Sequence, residues 1–113
     1  MRIILQKISK AIAKDREIGK GYILFINLKP TDEEEDLIRL VDKIVRIKLW
    51  NKWKQNIKEL GYSILIVGSQ TSSVDIFKQH LEEEIGSENV FRIDSSLLNS
   101  LYFINDGPST LLL

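Results

Sequence analysis

The fold is decided by YILFI at residues 22–26, a short and continuous apolar run rich in β-forming side chains. A run of this length and composition is typical of a β-strand that is fully buried, and Pro30 marks its end. The run SILIV at residues 63–67 has the same character. The sequence therefore predicts two buried strands.

Two amphipathic helices are predicted beside these strands. The first starts near Thr31, an N-cap candidate followed by Glu34 in the spacing of a capping box. Acidic residues at 32–36 lie where the helix macrodipole favours negative charge, so we interpret them as helix-start chemistry and not as a metal site. The second helix is predicted over residues 74–85, and Gly86 ends it.

The remaining segments complete an alternation of strands and helices. Residues 1–13 alternate apolar and polar side chains, which predicts an opening strand that is half buried. Further predictions are a short helix or loop over 51–61, strands over 90–93 and 97–104, a turn at 105–108, and strand character at 111–113. This order indicates a single α/β or α+β domain over residues 1–113, with two main helices.

Length and composition describe an ordinary globular chain. It has 113 residues, of which 43% are hydrophobic and 28% charged. A core of this size has little margin, so we expect a homodimer. The chain has no cysteine, which excludes disulfides and thiolate metal sites.

Charge and hydropathy narrow the class of function. Sixteen basic residues balance sixteen acidic ones, which argues against binding to nucleic acid by bulk charge alone. No signal peptide is recognisable, and no apolar run approaches the ~20 residues that span a bilayer. We expect a cytoplasmic protein without a membrane partner.

Conventional catalytic residues are nearly absent. The single histidine, His80, falls within the second predicted helix, where we interpret it as a solvent-facing or helix-packing residue. The sequence contains no phosphate-binding glycine loop, HExxH motif or nucleophile elbow. An enzyme with this sequence works with backbone groups, hydroxyls and its own substrate, and we expect no metal and no cofactor.

Two polar clusters each follow an apolar strand. The first is SQTSS at residues 69–73, whose backbone N–H groups are suited to holding an oxyanion. The alternative, which physical reasoning favours, is that Ser72 or Ser73 only caps the following helix. The second is NDGPST at residues 105–110, interpreted either as an ordinary turn or as a cis Gly107–Pro108 bond that turns two carbonyls to one side.

A third feature combines aromatic and basic residues. Trp50 and Trp53 lie among lysines, a combination that binds nucleic acid backbones and stacks on bases. The alternative is that one tryptophan anchors the edge of the core while the lysines are a solvated face. The candidate nucleic-acid contacts are Lys48, Lys52, Lys54 and Lys58.

Both clusters resemble the motifs of D-aminoacyl-tRNA deacylases. That family carries Ser-Gln-Phe-Thr-Leu after a buried strand and Asn-x-Gly-Pro-x-Thr near its C-terminus. The start of the chain with Gln6, the turn at 19–21 and the acidic helix start near Thr31 are also similar to the family, so the resemblance covers most of the chain.

The resemblance implies a barrel-like α/β sheet and a homodimer that hydrolyses the ester of D-aminoacyl-tRNA. A cis Gly-Pro motif from one subunit would enter the site of the other and exclude L-amino acids. The 2′-hydroxyl of the terminal ribose would assist hydrolysis, and a Thr110 or Ser72 nucleophile is the weaker alternative because neither has a base. The implied catalytic residues are Ser69, Gln70 and Thr110. The implied substrate-binding residues are Thr71, Ser72, Asn105, Asp106, Gly107, Pro108 and Ser109.

This sequence departs from the family's first motif. The family's Phe, Thr and Leu are Thr71, Ser72 and Ser73 here, the opening hairpin is short, and the segment after the motif is nearly absent. The alternative hypothesis is therefore a deacylase-like module that binds tRNA or DNA without turnover.

Overall fold

The computed structural model describes residues 2–13 and 16–113, apart from the side chains of Pro108 and Ser109. The strands are β1 Arg2–Ala13, β2 Arg16–Ile18, β3 Gly21–Asn27, β4 Ser63–Val67, β5 Val90–Ile93 and β6 Leu101–Leu112. The α-helices are α1 Glu34–Arg46, α2 Ile57–Leu60 and α3 Ser72–Ile85, and short 3-10 helices span Ser87–Asn89 and Ser95–Ser100.

All six strands form one mixed sheet that curls into a half-barrel. The strand order is β2-β1-β3-β4-β5. β2 and β3 pair with different parts of one edge of β1, and β6 pairs with the opposite edge of β1. β1 is antiparallel to β2, β3 and β6, whereas β3, β4 and β5 run parallel. The parallel part is built through the helical crossovers that such connections require. The α/β class and the barrel-like curvature are therefore confirmed.

The main core lies between the sheet and the two long helices. Side chains of β3 and β4 such as Tyr22, Leu24 and Ile64 are fully buried there against Leu37 of α1 and Phe77 of α3. The apolar side chains at helical spacing in α1 and α3 form the buried stripe of each helix. This packing fixes the carboxyl ends of the parallel strands, where the first polar cluster begins.

A second apolar cluster covers the opposite face of the sheet and consists only of strand residues. Its buried members include Ile23 and Leu65, which alternate along their strands with the side chains of the main core. Phe25, Phe91 and Phe103 pack against them but are only partly buried. This face is therefore apolar and incompletely covered within one chain.

Most predicted elements are confirmed, including both buried strands, the short strand 90–93 and the two main helices. The capping box predicted for the first helix is wrong. The N-cap of α1 is Glu33, which makes no side-chain cap bond, while the Asp32 carboxylate accepts the N–H of Lys29 at 2.6 Å. A capping box exists instead in α2, between Asn56 and Glu59.

The predicted strand 97–104 and the turn at 105–108 are also corrected. Residues 95–100 form a 3-10 helix that Asp94 caps, and β6 begins only at Leu101. β6 then continues through the predicted turn, because β1 provides pairing partners for the residues before 106 and after 109, from Ala13 to Ile4.

Replacing Tyr22 tests the buried polar contact between β3 and the segment after α1. Trp50 donates its indole N–H to the Tyr22 hydroxyl at 3.1 Å, and burial raises the pKa of Tyr22 to about 12. Tyr22→Phe leaves a buried donor unpaired, so we expect a loss of ~1–3 kcal/mol in the free energy of unfolding at pH 7, measured by urea denaturation. The raised pKa means that the stability from the neutral phenol is complete below pH ~10 and is lost as the pH rises toward 12. The wild type should therefore lose more stability than Tyr22→Phe over that range, with Tyr102→Phe at the exposed surface as control. Equal losses would contradict the burial that raises the pKa, whereas an unchanged free energy of unfolding at pH 7 in Tyr22→Phe would contradict the contact with Trp50.

Candidate functional site

The first polar cluster leaves the sheet at the carboxyl end of β4. Gly68 donates its N–H to the carbonyl of Ile93 at 3.2 Å, which keeps the segment beside β5. A Cβ atom on Gly68 would lie 2.7 Å from the Ile26 side chain, so only glycine fits this close approach. Ser69 and Gln70 follow at once, at the strand edge where α/β sheets commonly bind ligands.

Arg92 orients the Gln70 amide. Its guanidinium donates to the Gln70 Oε1 at 3.0 Å and to the Gly68 carbonyl at 2.8 Å. A guanidinium only donates, so it holds the oxygen end of the amide and leaves the NH2 group as the free donor. Gln70 is therefore a preset hydrogen-bond donor.

Charge around this cluster is balanced by Asp94. A hydrogen bond from the Ser96 side chain is the main cause of a lowered Asp94 pKa, with smaller contributions from the Ser96 backbone, Arg92 and the Gln70 backbone. Its carboxylate lies 4.0 Å from the Arg92 guanidinium. Ser69 contacts the Ser95 hydroxyl at 3.1 Å, which ties the cluster to the 3-10 helix before β6.

A cleft of about 580 Å³ opens beside these residues. Gln70, Arg92 and Asp94 form part of its polar lining, while Phe91 contributes an apolar surface. Arg16 also lines the cleft, with its guanidinium 4.7 Å from the centre of the Phe91 ring. The volume and mixed lining are typical of sites that bind small molecules.

The helix cap predicted at Ser72 or Ser73 belongs to Thr71 instead. The Thr71 hydroxyl accepts the N–H of Val74 at 3.2 Å, while Ser72 is exposed in the first turn of α3. Ser73 is buried and donates to the Lys29 carbonyl at 3.1 Å. The Thr71 hydroxyl is thus engaged in holding the helix.

The second polar cluster forms a wide bulge in β6. Gln6 pairs with Thr110 and Ile8 pairs with Asn105, so residues 106–109 lie opposite the single residue Lys7. Gly107 is exposed and has a φ of 73°, a left-handed conformation that favours glycine. The predicted cis Gly107–Pro108 bond and the role of Ser109 lie outside the described residues and stay predictions.

Gln6 holds both ends of the bulge. Its amide nitrogen donates to the Asn105 side chain at 2.5 Å, and its amide oxygen accepts the Thr110 hydroxyl at 2.9 Å. One side chain on β1 therefore fixes the two residues that flank Asp106 to Ser109. Asp106 is partly buried, and Asn105 and Thr110 are exposed.

The two clusters do not meet within one chain. They are separated along the sheet by β3 and β1, three strand-to-strand steps of ~4.8 Å each. None of the described residues of the bulge lines the cleft. Sequence reasoning missed the linking roles of Gln6 and Arg92; Gln6 was noted only as part of the resemblance, and nothing in the sequence marks Arg92.

The other candidate residues are placed separately. Lys48, Lys52, Lys54 and Lys58 are all exposed, and Lys58 also forms an ion pair with Glu84 at 2.9 Å.

His80 lies on α3, on the side that faces the start of α1. Its Nε2 atom is 3.2 Å from a carboxylate oxygen of Glu34, which supports a packing role.

Within residues 2–13 and 16–113, no cluster of histidine and carboxylate side chains suited to a metal is found. In the same part of the chain no helix has the length and apolar character to cross a bilayer.

Comparison with known proteins gives one consistent family. The family model described as D-Tyr-tRNA(Tyr) deacylase matches residues 4–83. A D-aminoacyl-tRNA deacylase of Candida glabrata is 27% identical over 145 residues, covering 100% of this chain and 97% of its own. One from Plasmodium falciparum is 30% identical over 90 residues, covering 63% of this chain and 55% of its own.

The Candida alignment is longer than the 113 residues of this chain, so the relative has residues without a counterpart here. Among solved structures, a protein named c-Myc DNA Unwinding Element Binding Protein has the same fold. Its TM-score is 0.82 with 17% sequence identity, over 100% of this chain and 97% of its own.

Removing the Gln6 amide tests how the bulge is held. Gln6→Leu keeps the side-chain size but deletes both hydrogen bonds, which contribute ~0.5–1.5 kcal/mol each. We expect the backbone N–H groups of residues 105–107, 109 and 110 to exchange about tenfold faster under native conditions, measured by hydrogen exchange with NMR or mass spectrometry. Ser9→Ala, which removes only a long 3.4 Å contact to the Ile104 carbonyl, is the matched control. Unchanged exchange in Gln6→Leu would show that the bulge is held by other contacts.

Proposed function

Because the chain belongs to the D-Tyr-tRNA(Tyr) deacylase family, we propose that it hydrolyses the ester bond of D-aminoacyl-tRNA and releases the D-amino acid and free tRNA. The geometric observation that carries this proposal is the cleft beside Gln70, with the Gln70 amide fixed by Arg92. The function belongs to quality control of translation, and we place it in the cytoplasm.

The proposed hydrolysis depends on hydrogen-bond donors and not on a protein nucleophile. Water attacks the ester carbonyl, the bond to the ribose 3′-oxygen breaks, and the proton passes to that leaving oxygen. The Gln70 NH2 group, the Ser69 hydroxyl and the Thr71 N–H are the proposed donors for the oxygen that becomes negatively charged. The 2′-hydroxyl of the terminal ribose is the proposed assistant, since, among the described residues, neither the Thr110 nor the Ser72 hydroxyl contacts a base.

Selection against L-amino acids is assigned to the bulge of β6. In this proposal the carbonyls at Gly107 and Pro108 face the Cα of the aminoacyl group, with Asn105 and Thr110 at the rim. Ser109 and Asp106 complete the wall. The hydrogen bonds from Gln6 support this assignment, because a stereochemical filter must be rigid.

The filter and the donors are proposed to meet across a homodimer. Their separation along the sheet supports this arrangement, since one chain alone does not bring them together. The incompletely covered apolar face around Phe25, Phe91 and Phe103 also supports it, because a second copy would bury these rings.

The tRNA is proposed to contact the lysines after α1. Lys48, Lys52 and Lys54 are exposed and available to phosphates. Lys58 would have to leave its ion pair with Glu84 to bind a phosphate.

A module that binds tRNA or DNA without turnover is the second candidate. The observation that favours it is the use of the Thr71 hydroxyl as a helix cap where the family has an aromatic ring. Loss of that ring removes an apolar surface for the substrate.

Hydrolysis of matched D- and L-aminoacyl-tRNA by the purified protein tests the proposal. We expect rapid loss of the D-ester and slow loss of the L-ester. Gly107→Ala puts a side chain at a φ of 73°, so we expect it to lower the D-over-L ratio of kcat/KM about tenfold or more. Gly19→Ala is the matched control, because Gly19 has open space around it and no left-handed conformation. Absence of turnover for both esters, with tRNA still bound, would support the second candidate.

A further inference from the structure

Trp53 is displayed at the surface by an unusual turn. Its side chain is 68% exposed, whereas Trp50 is 4% exposed. Three consecutive residues, Asn51, Lys52 and Trp53, have φ values of 53°, 60° and 68°. Left-handed conformations are uncommon outside glycine and are unfavourable for bulky side chains. A run of three is therefore strained, and the surrounding contacts must hold it.

Hydrogen bonds close this turn on itself. The backbone groups of Trp50 and Gln55 exchange two hydrogen bonds of 3.0 Å, and Lys54 also donates to the Trp50 carbonyl at 3.0 Å. The side-chain amides of Asn51 and Gln55 form a further contact. The turn is thus a defined structure with the indole of Trp53 at its tip.

Trp50 anchors the turn to the core. Its ring packs edge-on against Tyr62 with 4.8 Å between the ring centres, and its indole N–H binds Tyr22. The Lys7 ammonium lies 4.3 Å from the centre of the Trp50 ring. Lys7 is also the residue opposite the β6 bulge, so it links Trp50, at the base of the turn, to that part of the sheet.

The sequence around the turn carries a local positive charge. Residues 43–58 contain six basic residues and no acidic one, although the whole chain is neutral. Within the part of the chain that the structure describes, Lys48, Lys52 and Lys54 form no ion pair. An exposed aromatic ring can stack on a nucleic acid base, and unpaired cations on either side of the ring can bind the phosphates next to that base.

We propose that Trp53 is a stacking platform for an unpaired base at the single-stranded end of an RNA, with Lys52 and Lys54 binding the adjacent phosphates. The choice of an RNA end as occupant rests on the proposed function. The platform itself rests on the exposed indole, the left-handed turn that holds it and the positive charge of the segment.

Binding of a short RNA tests the platform without any turnover. The probe is a fluorescein-labelled single-stranded ACCA tetranucleotide without an amino acid, titrated into the full chain at low salt and followed by anisotropy. We expect Trp53→Ala to weaken binding about tenfold, as for the loss of one stacked base. Trp53→Tyr keeps a stacking ring and should retain most of the affinity. Quenching of tryptophan fluorescence by unlabelled RNA should disappear in Trp53→Ala.

Two controls separate stacking from charge. An abasic probe with the same phosphates should bind the wild type and Trp53→Ala equally, and Lys52→Ala should lower the salt dependence of binding where Lys20→Ala does not. Equal affinity of wild type and Trp53→Ala for the tetranucleotide would overturn the proposal. A tenfold preference for the same sequence in DNA would overturn the assignment to an RNA end. Because the probe carries no ester, these outcomes are independent of whether the protein hydrolyses D-aminoacyl-tRNA.

Discussion

Hydrogen bonding along both edges of β1 is the constraint on which the other features depend. Residues 2–8 pair with β3, and residues 4–13 pair with β6 on the opposite edge. The first pairing connects β1 to the parallel strands and the helices that cover them. The second places the polar bulge of β6, whose length is set by the register on either side of Lys7. A change in this register would move the bulge and the core together.

In each polar cluster, one side chain from a neighbouring strand makes two hydrogen bonds that orient the polar groups. Gln6 uses both ends of its amide on Asn105 and Thr110, and Arg92 uses two guanidinium nitrogens on Gln70 and Gly68. In both cases the supporting group lies on a regular strand, whereas the group that it positions lies in a loop or a bulge. Sites supported in this way are more rigid than loops alone, which suits proposed chemistry that depends on backbone groups and amides.

The sequence was sufficient for features that depend on local periodicity. The apolar runs at 22–26 and 63–67 and the helical spacing in α1 and α3 gave the sheet and its two main helices, because burial determines both patterns. The capping box at Thr31 failed because a local pattern does not show which residue the chain uses to enter the helix. β6 continued through the predicted turn at 105–108 because it pairs with β1. The contacts of Gln6 with Asn105 and of Ser9 with Ile104 join residues at least 95 positions apart, so a local pattern does not show them.

The same limit applies to the site. The two polar clusters were visible in the sequence as motifs, but the residues that orient them were not. Arg92 is an ordinary basic residue on a short strand, and only the parallel pairing of β4 and β5 brings it to Gln70. The proposed meeting of the two clusters across a dimer is a further step, because it depends on a second chain.

Complementation between two inactive variants tests this composite site most directly. Gln70→Leu removes the proposed amide donor, and Gly107→Val puts a branched side chain at a φ of 73° in the wall proposed to face the aminoacyl group, which would block it. Each protein alone should therefore be inactive on D-aminoacyl-tRNA. Co-refolding equal amounts should restore about a quarter of the wild-type sites, because half of the dimers are mixed and each mixed dimer has one intact site. No recovered activity from a mixture shown to contain the mixed dimer would contradict a site built from two chains.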